Sequence, residues 1–220
     1  MHLLILGGTG ACGIQLIQQA LALDHTVVVY ARSPQKLPES ITSSPGVTIA
    51  LGGLTDADKL SAALEGVHAV LSALGPAVKS GPFHPGNTPL ANAYALLLDL
   101  MRQRDVKRLI ALGTASMTDE HDKFSLEFAV LVTGVAVFAH NAYKDVVAIG
   151  KNIRAADRDV MWTIARVPLL TEKEDTAVLA GYIGDGKTRT RLSRAAFAAF
   201  VLQELEENKW CRQAPLISSP

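Results

Sequence analysis

Gly7, Gly10 and Gly13 stand three residues apart, directly after the apolar run Leu3-Leu4-Ile5-Leu6. Glycines at that spacing, placed between a strand and a helix, make a turn suited to binding an anion. Gly7 allows a sharp exit from a buried strand, and Gly10 lets a pyrophosphate reach the backbone without meeting a Cβ. Gly13 lets the next helix pack close to the strand. That helix is expected because Ile14, Leu16, Ile17, Ala20 and Leu21 recur at helical intervals. Its first N–H groups have no partner inside the helix, and the dipole behind them favours negative charge, so the turn with Gly7, Gly10 and Gly13 and the helix start after it are the expected anion site. A tight turn that binds nothing is the alternative.

Arg32 is the second candidate. It ends the β-branched run Thr26-Val27-Val28-Val29-Tyr30, and Ser33 and Lys36 follow it. Where NAD is preferred, an acid roughly 20 residues past the glycines bonds the ribose hydroxyls. No acid stands here. A carboxylate repels a 2′-phosphate, whereas a guanidinium grips it through a two-pronged charge-assisted bond. The expected cofactor is therefore NADP(H), with a solvated arginine opening a loop as the alternative. Cys12, at a helix start, is either a thiol of lowered pKa or a small residue that fits the turn.

Composition bounds the rest. With 220 residues, 49% of them hydrophobic, the chain has room for one good α/β core. Lys plus Arg and Asp plus Glu both number 21, so no global field points to nucleic acid or an acidic membrane. The two cysteines, Cys12 and Cys211, lack metal-ligand spacing. A reduced cytoplasmic protein is the simpler expectation, although the sequence alone leaves a disulfide open. No presequence is evident before the first strand. The longest apolar segment, 128–139, is shorter than the roughly 20 residues that span a bilayer. It suggests a buried helix, or a partner or pocket surface. Neither a metal nor a nucleic-acid or membrane partner is expected.

Strand patterns follow at 26–30, 47–51, 67–72, 107–112 and 160–166, with a short one at 177–183. Helical patterns alternate with them. One is capped by Thr55 or Asp56 and runs to Leu64, and others cover 90–104 and 124–154, where Gly134 and Gly150 threaten continuity. Ser193 caps the last, which runs through Leu205. The alternation implies one doubly wound α/β domain over residues 1–220, with a mainly parallel sheet of six to seven strands. In such sheets ligands bind beyond the carboxyl ends of the strands. Substrate-side elements are expected at about 76–90, 114–145 and 167–190. The first is a loop rich in turn residues from 79 to 89, where His84 either meets substrate or is an exposed residue without a role.

These segments resemble the atypical short-chain dehydrogenase/reductases, in particular the NmrA-like and flavin-reductase-like branch. The resemblance is carried by Gly7-Gly8-Thr9-Gly10-Ala11-Cys12-Gly13, Val70-Leu71-Ser72-Ala73-Leu74-Gly75 and Trp162-Thr163-Ile164-Ala165-Arg166-Val167-Pro168. It spans nearly the whole chain and implies a Rossmann-type fold. It also implies that Gly7, Thr9, Gly10, Ala11, Cys12 and Gly13 hold the pyrophosphate, that Arg32 and Ser33 take the 2′-phosphate, and that Gly53 and Leu54 flank the adenine, although Gly53 stands where the family usually has an aspartate. Ala73, Leu74 and Gly75 would line the nicotinamide-side ribose. Arg166, Val167 and Pro168 would close the pocket near the nicotinamide, and Thr114 would join the cofactor contacts.

Well-studied members pair a tyrosine with a lysine four residues on, and the lysine lowers the tyrosine's pKa. Here Tyr143 is followed four residues later by Val147, and Lys144 lies about 100° around the helix. Thr114, Tyr143 and the adjacent Lys144 are the catalytic candidates, with Tyr143 equally suited to be a half-buried aromatic. Three activities remain open. One is an NADPH-dependent reductase of a small carbonyl, quinone, enone or flavin-like substrate. The others are a non-redox isomerase or cyclase on the same fold, and a dinucleotide-binding redox sensor without turnover. The partner expected is a small molecule, on a monomer or homodimer. The apolar run 124–138 would wall a substrate pocket, pack in the core, or form a self-association face.

Overall fold

The computed structural model describes residues 1–76 and 83–220. Elements run in the order β1 (His2–Leu6), α1 (Ala11–Ala22), β2 (Thr26–Ala31), α2 (Glu39–Thr42), β3 (Val47–Leu51), α3 (Ala57–Ala63), β4 (Ala69–Ser72), α4 (Pro89–Gln103) and β5 (Arg108–Thr114). There follow α5 (Leu126–Phe138), α6 (His140–Arg154), β6 (Met161–Val167), β7 (Leu169–Thr171), β8 (Leu179–Gly181), β9 (Arg191–Ser193), α7 (Arg194–Glu207) and β10 (Leu216–Ser218).

The main sheet has the order β3-β2-β1-β4-β5-β6-β10-β8, parallel except for the last pair. Eight strands exceed the six or seven expected, because β10, a three-residue strand without a strong sequence pattern, inserts between β6 and β8. A separate parallel pair, β7 and β9, was not anticipated as strands.

Strand alternation divides the core into two layers. Leu3, Ile5, Val27, Val29 and Leu71 face α1 and α7, while Leu4, Leu6, Val28, Tyr30 and Val70 face the α3, α4 and α6 side. Both layers are apolar, which is why β1 and β2 read as unbroken hydrophobic runs. Helix starts follow the cap residues: Asp56 accepts the Lys59 N–H, and Ser193 accepts the Ala196 N–H.

The helical stretch 124–154 is two helices that meet at a bend of 116°. The break falls at Ala139 (φ −136°, ψ 49°), whereas Gly134 and Gly150 both lie inside helices. Among the described residues no single helix is long and apolar enough to cross a membrane.

Candidate functional site

The register of the parallel strands assembles the site. Leu6 lies opposite Tyr30 on one side and Ser72 on the other, so the glycine turn starts level with the exits of β2 and β4. The strand order reverses between β1 and β4, which is where doubly wound sheets take ligands.

Each glycine has its own constraint. Gly7 has φ +75°, and a Cβ there would meet the Ala73 carbonyl at 2.8 Å. A Cβ on Gly13 would lie 2.2 Å from the Gly7 oxygen. Gly10 differs: the nearest atom to its Cβ would be the Gly7 oxygen at 3.4 Å, so the protein's own packing leaves space there. The Gly10 N–H donates to Gly7 O at 3.0 Å, which closes the turn. Among the described residues no side chain caps α1; no acid lies in its first turn, and Gly10 and Ala11 are exposed. An open space above uncapped helix amides fits a pyrophosphate.

Tyr30 fixes the turn after β3, the segment expected from the sequence to flank an adenine. Its hydroxyl donates to Gly53 O at 2.8 Å, and it fills the volume a Gly52 side chain would need. Gly53 has open space on its Cβ side, and Leu54 follows half-buried. Arg32 is exposed one residue past β2, with no ion-pair partner among the described residues, and Ser33 opens a short 3-10 turn over Pro34–Lys36. On the other side of β1, Ser72 and Tyr94 share a buried 2.6 Å hydrogen bond, and the Leu74 N–H donates to Ser72 Oγ. That pair fixes the loop Ala73, Leu74 and Gly75. Burial pushes the Tyr94 hydroxyl up to about 12, so it stays protonated.

A family model described as NAD(P)H-binding matches residues 7–208. The chain belongs to this NAD(P)H-binding family. A short-chain dehydrogenase/reductase from Veillonella parvula, solved in complex with NADP, superposes with a TM-score of 0.81 at 17% identity, covering 100% of this chain and 94% of that one. The anaerobillin reductase ChuY from Escherichia coli O157:H7 gives a TM-score of 0.74 at 16% identity, covering 100% and 98%. Among curated proteins, the photosystem II assembly factor Ycf39 of Synechocystis is 40% identical over 73 residues, 33% of this chain and 22% of its own length. The 3 beta-hydroxysteroid dehydrogenase/Delta 5-->4-isomerase of Mycobacterium tuberculosis is 28% identical over 188 residues, 80% of this chain and 40% of its own length. The chain thus spans less than half the length of both curated relatives.

Several side chains of this NAD(P)H-binding chain depart from the sequence expectation. Arg166 does not close a pocket. Alternation along β6 turns it inward, fully buried, where it donates to both oxygens of Asp122 at 2.7 and 2.8 Å and to the carbonyls of Met117 and Ala214. Burial pushes the Asp122 carboxyl up, but the Arg166 guanidinium and the amides of Asp119 and Ile183 outweigh it and hold the group below its ordinary value. The pair instead ties the loop after β5 to the sheet. Val167 and Pro168 are also buried, and Val167 belongs to the core layer under α1 and α7. Cys12 is not an activated thiol: burial pushes it up to about 11, against the opposing pull of Arg194. Both cysteines are free.

His84 is buried rather than an exposed loop residue. Its Nε2 lies 2.8 Å from Asp145 Oδ2, and its carbonyl accepts from Asn141 at 2.9 Å. Asp145, with no exposed surface, also accepts the Leu90 and Ala91 N–H groups at 3.1 and 2.8 Å, capping α4 from across the structure. The sequence sign of this missed residue is an aspartate inside the apolar stripe Ala142, Val146, Ile149 and Ile153 of α6. Within the expected 76–90 loop, residues 77–82 lie outside the described residues.

Thr114 sits half-exposed at the end of β5, paired with Val167. Its Oγ1 accepts the Ser116 N–H at 3.2 Å, which leaves its own proton to donate elsewhere. Tyr143 is half-buried in the first turn of α6. Val147 lies one turn on, and Lys144 is exposed on another face. Arg194 was also missed. Its Nη1 is buried with no hydrogen-bond partner among the described residues, 3.7 Å from Glu172. A cation in a helix's first turn opposes the helix dipole, and that was its sequence signal.

Proposed function

We propose that this NAD(P)H-binding chain is an NADPH-dependent reductase of a small apolar carbonyl, quinone, enone or flavin-like acceptor. The observation that carries it is the start of α1, exposed at Gly10 and Ala11, acid-free and without a side-chain cap among the described residues, beside an exposed Arg32 at a strand end that has no carboxylate. The α1 amides hold the pyrophosphate, with Arg194, whose Nη1 makes no hydrogen bond among the described residues, as the cation on the neighbouring helix. Arg32 and Ser33 hold the 2′-phosphate. Ala73, Leu74 and Gly75 border the ribose, and Thr114 is the hydroxyl that donates to the acceptor's oxygen. The dinucleotide, when bound, supplies a hydride. Residue 147 supplies no cation beside Tyr143, so solvent delivers the proton while Thr114 holds the acceptor's oxygen by a hydrogen bond.

The same Val147 favours a second activity, dinucleotide binding without turnover. Following the NADPH absorbance band with a panel of quinones, flavins and enones separates the two. Oxidation by any of them supports the reductase. Tight binding with no oxidation across the panel refutes it, and a protein partner whose affinity differs between NADP+ and NADPH would then identify a sensor. Conversion of a substrate with no net change in NADPH would identify an isomerase or cyclase.

A further inference from the structure

Helix α5 leaves most of its apolar surface uncovered. Phe128 is its only buried residue, while Leu126, Val130 and Val137 are each at least 66% exposed and Phe138 is 78% exposed. The exposed residues are ordered. Leu126, Val130, Thr133 and Val137 follow one another at intervals of four, three and four, so they lie within about 60° of arc on the outer face. That is the spacing of a helix–helix packing seam, with valine and leucine in the alternating knob positions. Ala129, Gly134 and Ala136 flank it, and the space over Gly134 is open, so another helix can come close.

We propose that this seam docks a second copy of the same chain, with the two α5 helices antiparallel across a two-fold axis. A two-fold interface must be complementary to itself. Antiparallel pairing sets Leu126 of one copy against Val137 of the other and Val130 against Thr133. It also keeps the two Glu127 carboxylates, the only charges on α5, at opposite ends of the seam. Area is sufficient. Phe124 (85% exposed) and Phe138 flank the seam, and Phe83 (88% exposed) precedes His84, which Asn141 anchors beside the α5–α6 bend. At on the order of 150 Å² for each aromatic and somewhat less for each aliphatic side chain, the set offers roughly 700–800 Å² per copy, close to what a stable interface takes. A lipid surface fits less well. A helix of 13 residues is about 20 Å long, and α5 carries no lysine or arginine to meet anionic headgroups. Thr133, in the middle of the seam, also suits a protein neighbour better than hydrocarbon. The proposal is independent of the reductase assignment, although a partner docked there would stand beside the loop between Thr114 and Tyr143.

Sedimentation equilibrium of the full chain over a range of concentrations tests this. The expected result is a dimer with a dissociation constant in the micromolar range or tighter. Val130→Glu should weaken it on the order of 100-fold while NADPH binding, and thermal unfolding at concentrations where both proteins are monomeric, stay unchanged. In a Cys211→Ser background, Val130→Cys chains mixed with Thr133→Cys chains should give a disulfide-linked dimer on mild oxidation, since those two residues face each other across the seam. A wild-type chain that stays monomeric, or a dimer indifferent to Val130→Glu, overturns the proposal. So does a monomer that floats with phosphatidylcholine vesicles, which would assign the seam to lipid.

Discussion

Alanine at Gly10 and alanine at Gly13 should fail in opposite ways, because the space around the two residues differs. A Cβ at residue 13 would lie 2.2 Å from Gly7 O and 2.6 Å from Gly8 Cα, both backbone atoms that cannot rotate aside. Relief requires shifting α1 or the turn, at about 2–3 kcal/mol. For a chain of this size the unfolding midpoint should fall by roughly 5–10 °C. At residue 10 the nearest contact is 3.4 Å, and φ −86° with ψ 162° is open to alanine. Gly10→Ala should therefore cost stability about 1 kcal/mol or less, the difference in N-cap preference between glycine and alanine. Its methyl would project over the α1 amides and displace a pyrophosphate from one or two charge-assisted hydrogen bonds. At about 1.5–3 kcal/mol each, NADPH affinity should drop at least about 10-fold. Thermal scans and NADPH fluorescence titration of both variants make the comparison. If Gly10→Ala binds NADPH as the wild type does, the pyrophosphate does not pass over that residue and the assigned cradle is wrong.

Arg32→Glu should cut NADPH affinity by about 100-fold while leaving NADH binding equal or stronger, since the new carboxylate repels the 2′-phosphate; parallel titrations decide it. Asp145→Ala removes the acceptor shared by His84, Leu90 and Ala91, and should destabilise the chain by about 2–4 kcal/mol in urea unfolding. The Asp122 carboxyl titrates below its ordinary 3.8 in the folded chain, so the stability it adds is complete above that value and is lost as pH falls through the lower folded one. Asp122→Asn should flatten the acid side of the stability–pH curve and lower the curve at neutral and alkaline pH, where the Asp122–Arg166 pair is fully formed, as read from unfolding midpoints across pH.

Local pattern made the β1–turn–α1 unit and the NAD(P)H-binding family legible. The apolar strand, glycine turn and amphipathic helix around Gly7–Gly13 are contiguous in sequence, and so is the absence of an acid at Arg32. What escaped detection depends on distant partners. His84 and Asp145 are 61 residues apart, and nothing in the loop around His84 signals a buried carboxylate on α6. Arg166 was misjudged because a residue at a strand's carboxyl end points to either face, and only the packed sheet shows it turned toward Asp122. The bend at Ala139 has no proline or glycine at the break to mark it. In α5, apolar residues occupy every side of the helix, so periodicity gave no inner face to choose.

Strand β10 lies inside the sheet, flanked by β6 and β8, yet it follows every other element in chain order. During synthesis the edge of β6 therefore waits uncovered until the last few of these 220 residues emerge, and β8 waits without its neighbour. A ribosome stalled shortly before Leu216 would present an unpaired strand edge to its surroundings, the condition under which nascent chains aggregate.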